Sequence, residues 1–348
     1  MFGRGADDFD TALSTTATGR QIEILKLCKE WGAENYNKSL LNAIKYSRPE
    51  NAKLLKEWGA TNYDAALATA ARHGRIELLH MCKEWGGSDF NTAFVEAAKR
   101  GYMRCLELCR EWGATNVDEA LLAAVANDNM RVVDACIRLG ASCFNEALAE
   151  SVKRGNHECF SLCIEHGATN IDEALVCAAK RGEKRLFKEC IDLGGTQFGE
   201  AMVAAADWRR MYLINYCLAQ RFTRADGAAN IEIKHINATM LAIAGSYDAE
   251  WKHIQMLFEA GATNIQETME KALGRRNTGI AEECAKRGGK MPEASLFKAA
   301  EGGYSSFVRA YINQSIESLN KARDIAAAHK NHSFVSAIEQ LIENKFSN

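Results

Sequence analysis

Apolar residues along this chain return with helical spacing, in short segments cut by glycine. The clearest stretch runs from Asn62 to Gly86. Between Asp64 and Arg72, Leu67, Ala70 and Ala71 fall three or four apart, which predicts a short helix with one small-residue face. Gly74 breaks it, and comparable breaks occur at Gly101, Gly155, Gly182 and Gly303, because glycine accepts the left-handed conformation that ends a helix. A second helix is predicted from Ile76 to Trp85, with Ile76, Leu78, Leu79, Met81 and Cys82 on one broad apolar face, and Gly86 stops it. Asn or Asp before the next helix reads as an N-cap, as in the pairs Asn62 and Asp64, Asn116 and Asp118, and Asn170 and Asp172. Pro49 and Pro292 fall near helix starts, where a missing N–H is tolerated.

This two-helix pattern recurs every 27 residues, marked by Gly5, Gly32, Gly59, Gly86, Gly113, Gly140, Gly167 and Gly194 and resumed at Gly261 and Gly288. One helix pair cannot bury both of its faces, so a fixed short period predicts stacked units sharing a continuous core. The span from Gly5 to Ile342 accommodates twelve such units and one insertion of 13 residues. The expected architecture is an all-α helical-repeat solenoid of about twelve two-helix units, forming a single repeat domain over residues 1–348. Regular repeats occupy 5–220, an irregular unit with an insertion near 224–236 occupies 221–260, and C-terminal repeats with a cap occupy 261–348. Within the insertion, Arg224 to Ala229 reads as a loop, and Ile231 to Ile236 alternates apolar and polar like a short strand. Asp7, Asp8, Asp10, Thr11, Ser14, Thr15 and Thr16 make the first helix a polar end cap facing water, with Lys330, Asn331 and residues 343–348 in that part at the other end.

Composition refines this picture little. Hydrophobic content of 47%, charged content of 25% and a net charge of −2 describe a folded chain with no general attraction to nucleic acid or to an anionic membrane. The apolar runs fall far short of the roughly 20 residues a membrane span needs, and the first unit begins too early to leave room for a signal peptide. Twelve cysteines raise the question of disulfides or metal. Their register answers it: Cys28, Cys82, Cys109, Cys136, Cys163, Cys190, Cys217 and Cys284 occupy one position in successive units. Equivalent atoms in stacked helices lie about 8–10 Å apart, too far for a bridge. Leucine takes the same slot at Leu55 and Leu257, so it reads as a small apolar core position in a reducing compartment, with no metal or cofactor.

The order Leu67, Ala70-Ala71-Arg72-His73-Gly74, Leu78-Leu79 and Gly86 resembles the ankyrin repeat. The unit is shorter than the ankyrin repeat of about 33 residues, and the shortfall at Gly59 to Asp64 implies β-hairpins that are shortened or absent. The ankyrin T-P-L-H stretch is replaced by Ala65-Ala66-Leu67-Ala68. The phrase around Cys28 to Ala33, varied at Cys82 to Gly87 and Cys109 to Asn116, is similar to ankyrin-repeat proteins of Marseillevirus-like giant DNA viruses, and more loosely to the short repeats of African swine fever virus multigene families. The resemblance implies a non-catalytic protein–protein interaction scaffold that engages a host protein in the host cytoplasm. A virion-associated structural protein is the alternative it leaves open, and a substrate adaptor for ubiquitin ligase machinery a third. A protein partner, host or viral, is expected, with no nucleic acid and no membrane, and a monomer is favoured.

Three surfaces are candidates for partner binding. Trp31, Trp58, Trp85 and Trp112 form a ladder just before the unit-ending glycines, either packed over the neighbouring unit or presented as an aromatic stripe. Basic pairs recur before the inter-helix glycine, notably Lys99 and Arg100, Lys153 and Arg154, and Lys180 and Arg181, where cations also complement the helix dipole. At the break in periodicity, Trp208, Arg209, Arg210 and Phe222 are the local candidates, since insertions in repeat proteins project from one face. No H-E-x-x-H, Walker A or G-x-S-x-G motif occurs, so an enzyme is not expected.

Overall fold

In the computed structural model, which describes residues 5–223, 231–246 and 249–346, every regular element is a helix. The chain divides into two compact units, Met1–Asn170 and Ile171–Asn348. The first holds six helix pairs: α1 (Gly5–Thr16) with α2 (Ile22–Glu30), α3 (Tyr36–Lys45) with α4 (Pro49–Glu57), α5 (Tyr63–Arg72) with α6 (Ile76–Glu84), α7 (Phe90–Arg100) with α8 (Met103–Glu111), α9 (Val117–Ala126) with α10 (Met130–Arg138), and α11 (Phe144–Arg154) with α12 (His157–Glu165). The second unit holds α13 (Ile171–Arg181), α14 (Lys184–Asp192), α15 (Phe198–Asp207), α16 (Met211–Thr223), α17 (Ile233–Ala244), α18 (Trp251–Glu259), α19 (Ile265–Gly274), α20 (Thr278–Lys286) and α21 (Glu293–Glu301). A 3₁₀ helix follows at Ser305–Tyr311, then α22 (Ile316–Ala328) and α23 (His332–Phe346). Among the described residues this makes twelve helical pairs and no strand.

Within each compact unit, the first helix of a pair packs along the first helix of the next, as α5 does on α7 and α13 on α15. Small residues permit that approach: Ala66, Leu67, Ala70 and Ala71 are fully buried in α5. The second helices end in a fixed device that explains the repeating Cys-x-x-Trp-Gly-Ala phrase. At the end of α6, the Gly86 N–H donates to Lys83 O (3.0 Å) and the Gly87 N–H to Cys82 O (2.9 Å), the paired bonds of a Schellman motif. In the neighbouring units the residue after the glycine is a buried alanine, Ala60 or Ala114, its N–H donating to the carbonyl of the ladder residue Leu55 or Cys109 (3.0 Å each). The eight ladder cysteines are all buried, and all twelve cysteines are free thiols.

Two glycine positions differ in what they demand. Gly86 has φ 106°, and a Cβ built there meets nothing, so the requirement is conformational alone. The inter-helix position has φ near 60°: Gly74 (65°) alternates there with Ser47 (58°), Asp128 (60°), Arg209 (57°), Arg276 (59°) and Lys330 (59°). An L-residue enters this left-handed well at modest cost, which is why the inter-helix glycine is replaceable along the chain.

Three expectations are corrected. The stretch Ile231 to Ile236 is not a strand: Glu232 stands before α17, its N–H donating to His235 Nδ1 (3.1 Å), and helix runs from Ile233. Local capping outweighs four residues of alternation. The loop expected over Arg224 to Ala229 lies outside the described residues. In the first helix, Ser14 does not face water but is buried, 3.4 Å from Ser39 Oγ, because the following pair already covers that side.

The third correction concerns the helix starts. Asn62 caps α5, accepting from the Ala65 N–H (3.3 Å), but Asp64 does not cap. Its Oδ1 reaches the next pair and accepts the N–H groups of Ser88 (2.7 Å) and Asp89 (3.0 Å). The same clasp is made by Asp10 to Glu34 and Asn35, Asn37 to Thr61 and Asn62, Asn91 to Thr115 and Asn116, Asp118 to Ser142 and Cys143, and Asn145 to Thr169 and Asn170. In the second compact unit Asp172 binds Thr196 and Gln197 in this way. Gly199 stands at the next such position and supplies no side chain.

Candidate functional surface

The clasps engage Asp10, Asp64, Asp118 and Asp172, and the core holds the eight ladder thiols. Two backbone N–H donors hold the Asp64 carboxyl below the usual carboxylate range, and the Ser142 N–H first among its donors does the same for Asp118. Burial pushes the thiols of Cys82, Cys109, Cys136, Cys190 and Cys284 up to about 12, the direction opposite to that of a reactive thiolate. Among the described residues no group of three His, Cys, Asp or Glu side chains is placed to hold a metal ion.

The tryptophan ladder turns inward. Trp58 lies 6.0 Å from the Tyr36 ring of its own pair, with Lys29 Nζ of the preceding pair 4.8 Å over its face. Trp85 repeats this with Tyr63 (6.0 Å) and Lys56 (5.6 Å), and Trp112 with Phe90 (5.6 Å) and Lys83 (4.4 Å). Each of these indoles is half-buried, joining its own pair to the preceding one through a ring contact and a cation–π contact. Trp31 has its ring partner Phe9 at 5.8 Å but remains 56% exposed.

Much of the basic row is matched by acids. Burial opposes ionisation of Glu96, but hydrogen bonds from Arg72 (2.6 Å) and Lys99 (2.8 Å) prevail and hold its carboxyl below the usual range. Lys153 and Arg154 both reach Glu150 on their own helix (3.4 and 3.0 Å). Arg100, Lys180 and Arg181 are exposed at the ends of α7 and α13. Glu96 was not legible in the sequence as a partner of Arg72, since the two stand 24 residues apart.

Among the described large hydrophobic residues, the most exposed stands at the break in periodicity. Trp208 closes α15 and is 57% exposed; Arg209 follows in the left-handed conformation, and Arg210 packs against Gly182. Tyr212 and Tyr216, four residues apart on α16, are exposed as well. Lys184 Nζ lies 6.0 Å over the Tyr212 ring, whose hydroxyl donates to Gly182 O, and Tyr216 meets Phe187 edge-on at 5.9 Å. These contacts fix the rings while leaving their outer faces open. Phe222 falls in the last turn of α16, its side chain outside the described residues. Sequence reasoning missed the two tyrosines; for Tyr212 the register held the signal, since its position carries Glu50, Glu77, Arg104, Arg131, Glu158 and Arg185 in earlier units, whereas that of Tyr216 is mostly apolar.

A second aromatic surface lies where the 3₁₀ helix replaces an α-helix. There Leu273, Met291, Pro292, Tyr304, Phe307 and Tyr311 line a groove of about 460 Å³. Nothing in the local repeat pattern announced it.

No protein-family model matches this chain, and no curated protein matches it. Among the described residues, no helix is long and apolar enough to cross a membrane.

Proposed function

We propose that the chain is a non-catalytic protein-binding scaffold of ankyrin-like repeats, of the giant-virus type its repeat phrase resembles, engaging a host protein in the host cytoplasm. The observation that carries this reading is the exposure of Trp208, Tyr212 and Tyr216, the two tyrosines being anchored by Lys184, Gly182 and Phe187. Rings held rigid from one side lose little entropy on contact, and Trp and Tyr dominate the energetics of protein interfaces. The eight ladder thiols lie in the core and the aspartates at the starts of the pairs are engaged in clasps, which supports binding over catalysis at those positions. Twelve free thiols fit a reducing compartment.

The test is affinity purification from infected cells, comparing the intact chain with a Trp208→Ala, Tyr216→Ala double variant. The reading expects a host protein enriched by the intact chain and reduced at least tenfold by the variant, the size of effect of removing about 1.4 kcal/mol or more from a hot spot. Recovery of virion proteins alone, unchanged by the variant, would favour a structural role instead.

A further inference from the structure

Between α19 and α21, inside the second compact unit, the packing of first helices along one another lapses, although α17 packs on α19 and α22 on α21. The sequence accounts for the gap. Gln266 takes the clasp position and, one methylene longer than Asn, binds the N–H and the carbonyl of Lys290 in place of two successive N–H groups. Pro292 then stands in the register of Tyr63, so α21 begins one residue later than α5, at Glu293. The second helix of this pair is the 3₁₀ segment Ser305–Tyr311, a geometry in which residues three apart share a face. Tyr304 and Phe307 meet there edge-on at 6.1 Å. One period after Cys284, the ladder position is held by Tyr311 instead of a small residue.

The groove between these elements is apolar along Leu273, Met291, Pro292 and Phe307, and its volume of about 460 Å³ is that of a small-molecule site. Tyr311 lines it while only 3% exposed, and among the described residues its hydroxyl has no hydrogen-bond partner. Burial alone pushes that hydroxyl up to about 12, so it keeps its proton and remains a donor. Buried polar groups are nearly always paired in folded proteins, so an unpaired one lining a groove marks the place of a ligand atom. Ser295 and Tyr304 bring further hydroxyls without partners among the described residues, and Lys298 an ammonium that makes no ion pair there. Glu270, the acid on the α19 wall, has its Oε1 held by the Gln266 side-chain amide (2.9 Å). The free donors and the free positive charge thus lie on α21 and the 3₁₀ segment. We propose that this groove binds a small carboxylic acid with an apolar body. Its tail lies against Leu273, Met291 and Phe307, and its carboxylate accepts from Tyr311 and Lys298.

Calorimetric titration of the purified full chain at pH 7.5 with decanoate and with decylammonium, one tail under opposite heads, tests the assignment. The expected result is one decanoate per chain with a dissociation constant of about 10 µM–1 mM, at least tenfold tighter than decylammonium. Tyr311→Phe keeps the ring and should weaken decanoate at least fivefold. Lys298→Gln, at an exposed position, should weaken decanoate about tenfold without weakening decylammonium. Far-UV circular dichroism shows whether each variant keeps its helices. Trp208→Ala is expected to bind decanoate as the parent does, so the outcome stands apart from the scaffold reading. No binding of decanoate at millimolar concentration would overturn the proposal, as would equal affinity for the two heads. Parental affinity for decanoate in a helical Tyr311→Phe or Lys298→Gln variant would also overturn it.

Discussion

At the scale of the residue, one glycine position and one Asp-or-Asn position carry most of the repeat's identity. Gly86 at φ 106° sits where an L-side chain is strained whatever the space around it. Gly86→Ala should lower unfolding stability by about 1–3 kcal/mol, whereas Lys330→Gly, at φ 59°, should lower it little or not at all. Paired denaturant titrations compare the two. The clasp makes a prediction of different form. Asp64 titrates below its unfolded value because the Ser88 and Asp89 N–H groups favour the carboxylate. Its contribution is therefore complete above the unfolded pKa of about 3.9 and is lost as pH falls through the folded value. Asp64→Asn, the residue nature places in the same clasp at Asn37, Asn91 and Asn145, should keep the bonds and flatten that part of the acid limb. An unchanged acid profile for the variant would remove Asp64 from the account. Buried thiols follow the same logic: Cys82 and Cys109, pushed up to about 12, should react with a thiol reagent at pH 8 only as fast as the chain opens.

At the scale of the element, the helices were legible because amphipathic spacing and glycine punctuation agree. The expected segments Asp64 to Arg72 and Ile76 to Trp85 differ by a residue at one end from α5 and α6. What was hidden is what depends on the neighbouring pair. Asp64 looks like a cap from sequence, yet its acceptor oxygen serves a turn 24 residues later. The inter-helix turns at Ser47 and Asp128 carry no glycine to announce them, and only their register marks them as left-handed. Alternation from Ile231 to Ile236 misled because so short a run is decided by its flanking capping bonds. The candidate surface was half visible: Trp208 stood out, Tyr212 required reading an exposed, charged position across the earlier units, and Tyr216 stands at a position that is mostly apolar in those units.

At the scale of the whole molecule, each compact unit is a succession of helix pairs in which a pair is linked chiefly to its immediate neighbours, through small-residue packing, an Asx clasp and, where Trp58, Trp85 and Trp112 stand, a lysine on an indole. Stability in such an array is close to a sum over units and their interfaces. The central claim is that 27 residues form the physical unit of this protein. Duplicating residues 63–89 between Asp89 and Phe90 tests it most directly, since the added pair offers the same clasp, Schellman motif and apolar face to both neighbours. The account predicts a chain that remains folded, gains helical signal in proportion to the two helices added, and unfolds at no lower denaturant concentration than the parent. Loss of cooperative unfolding, or an added segment that contributes no helix, would contradict it.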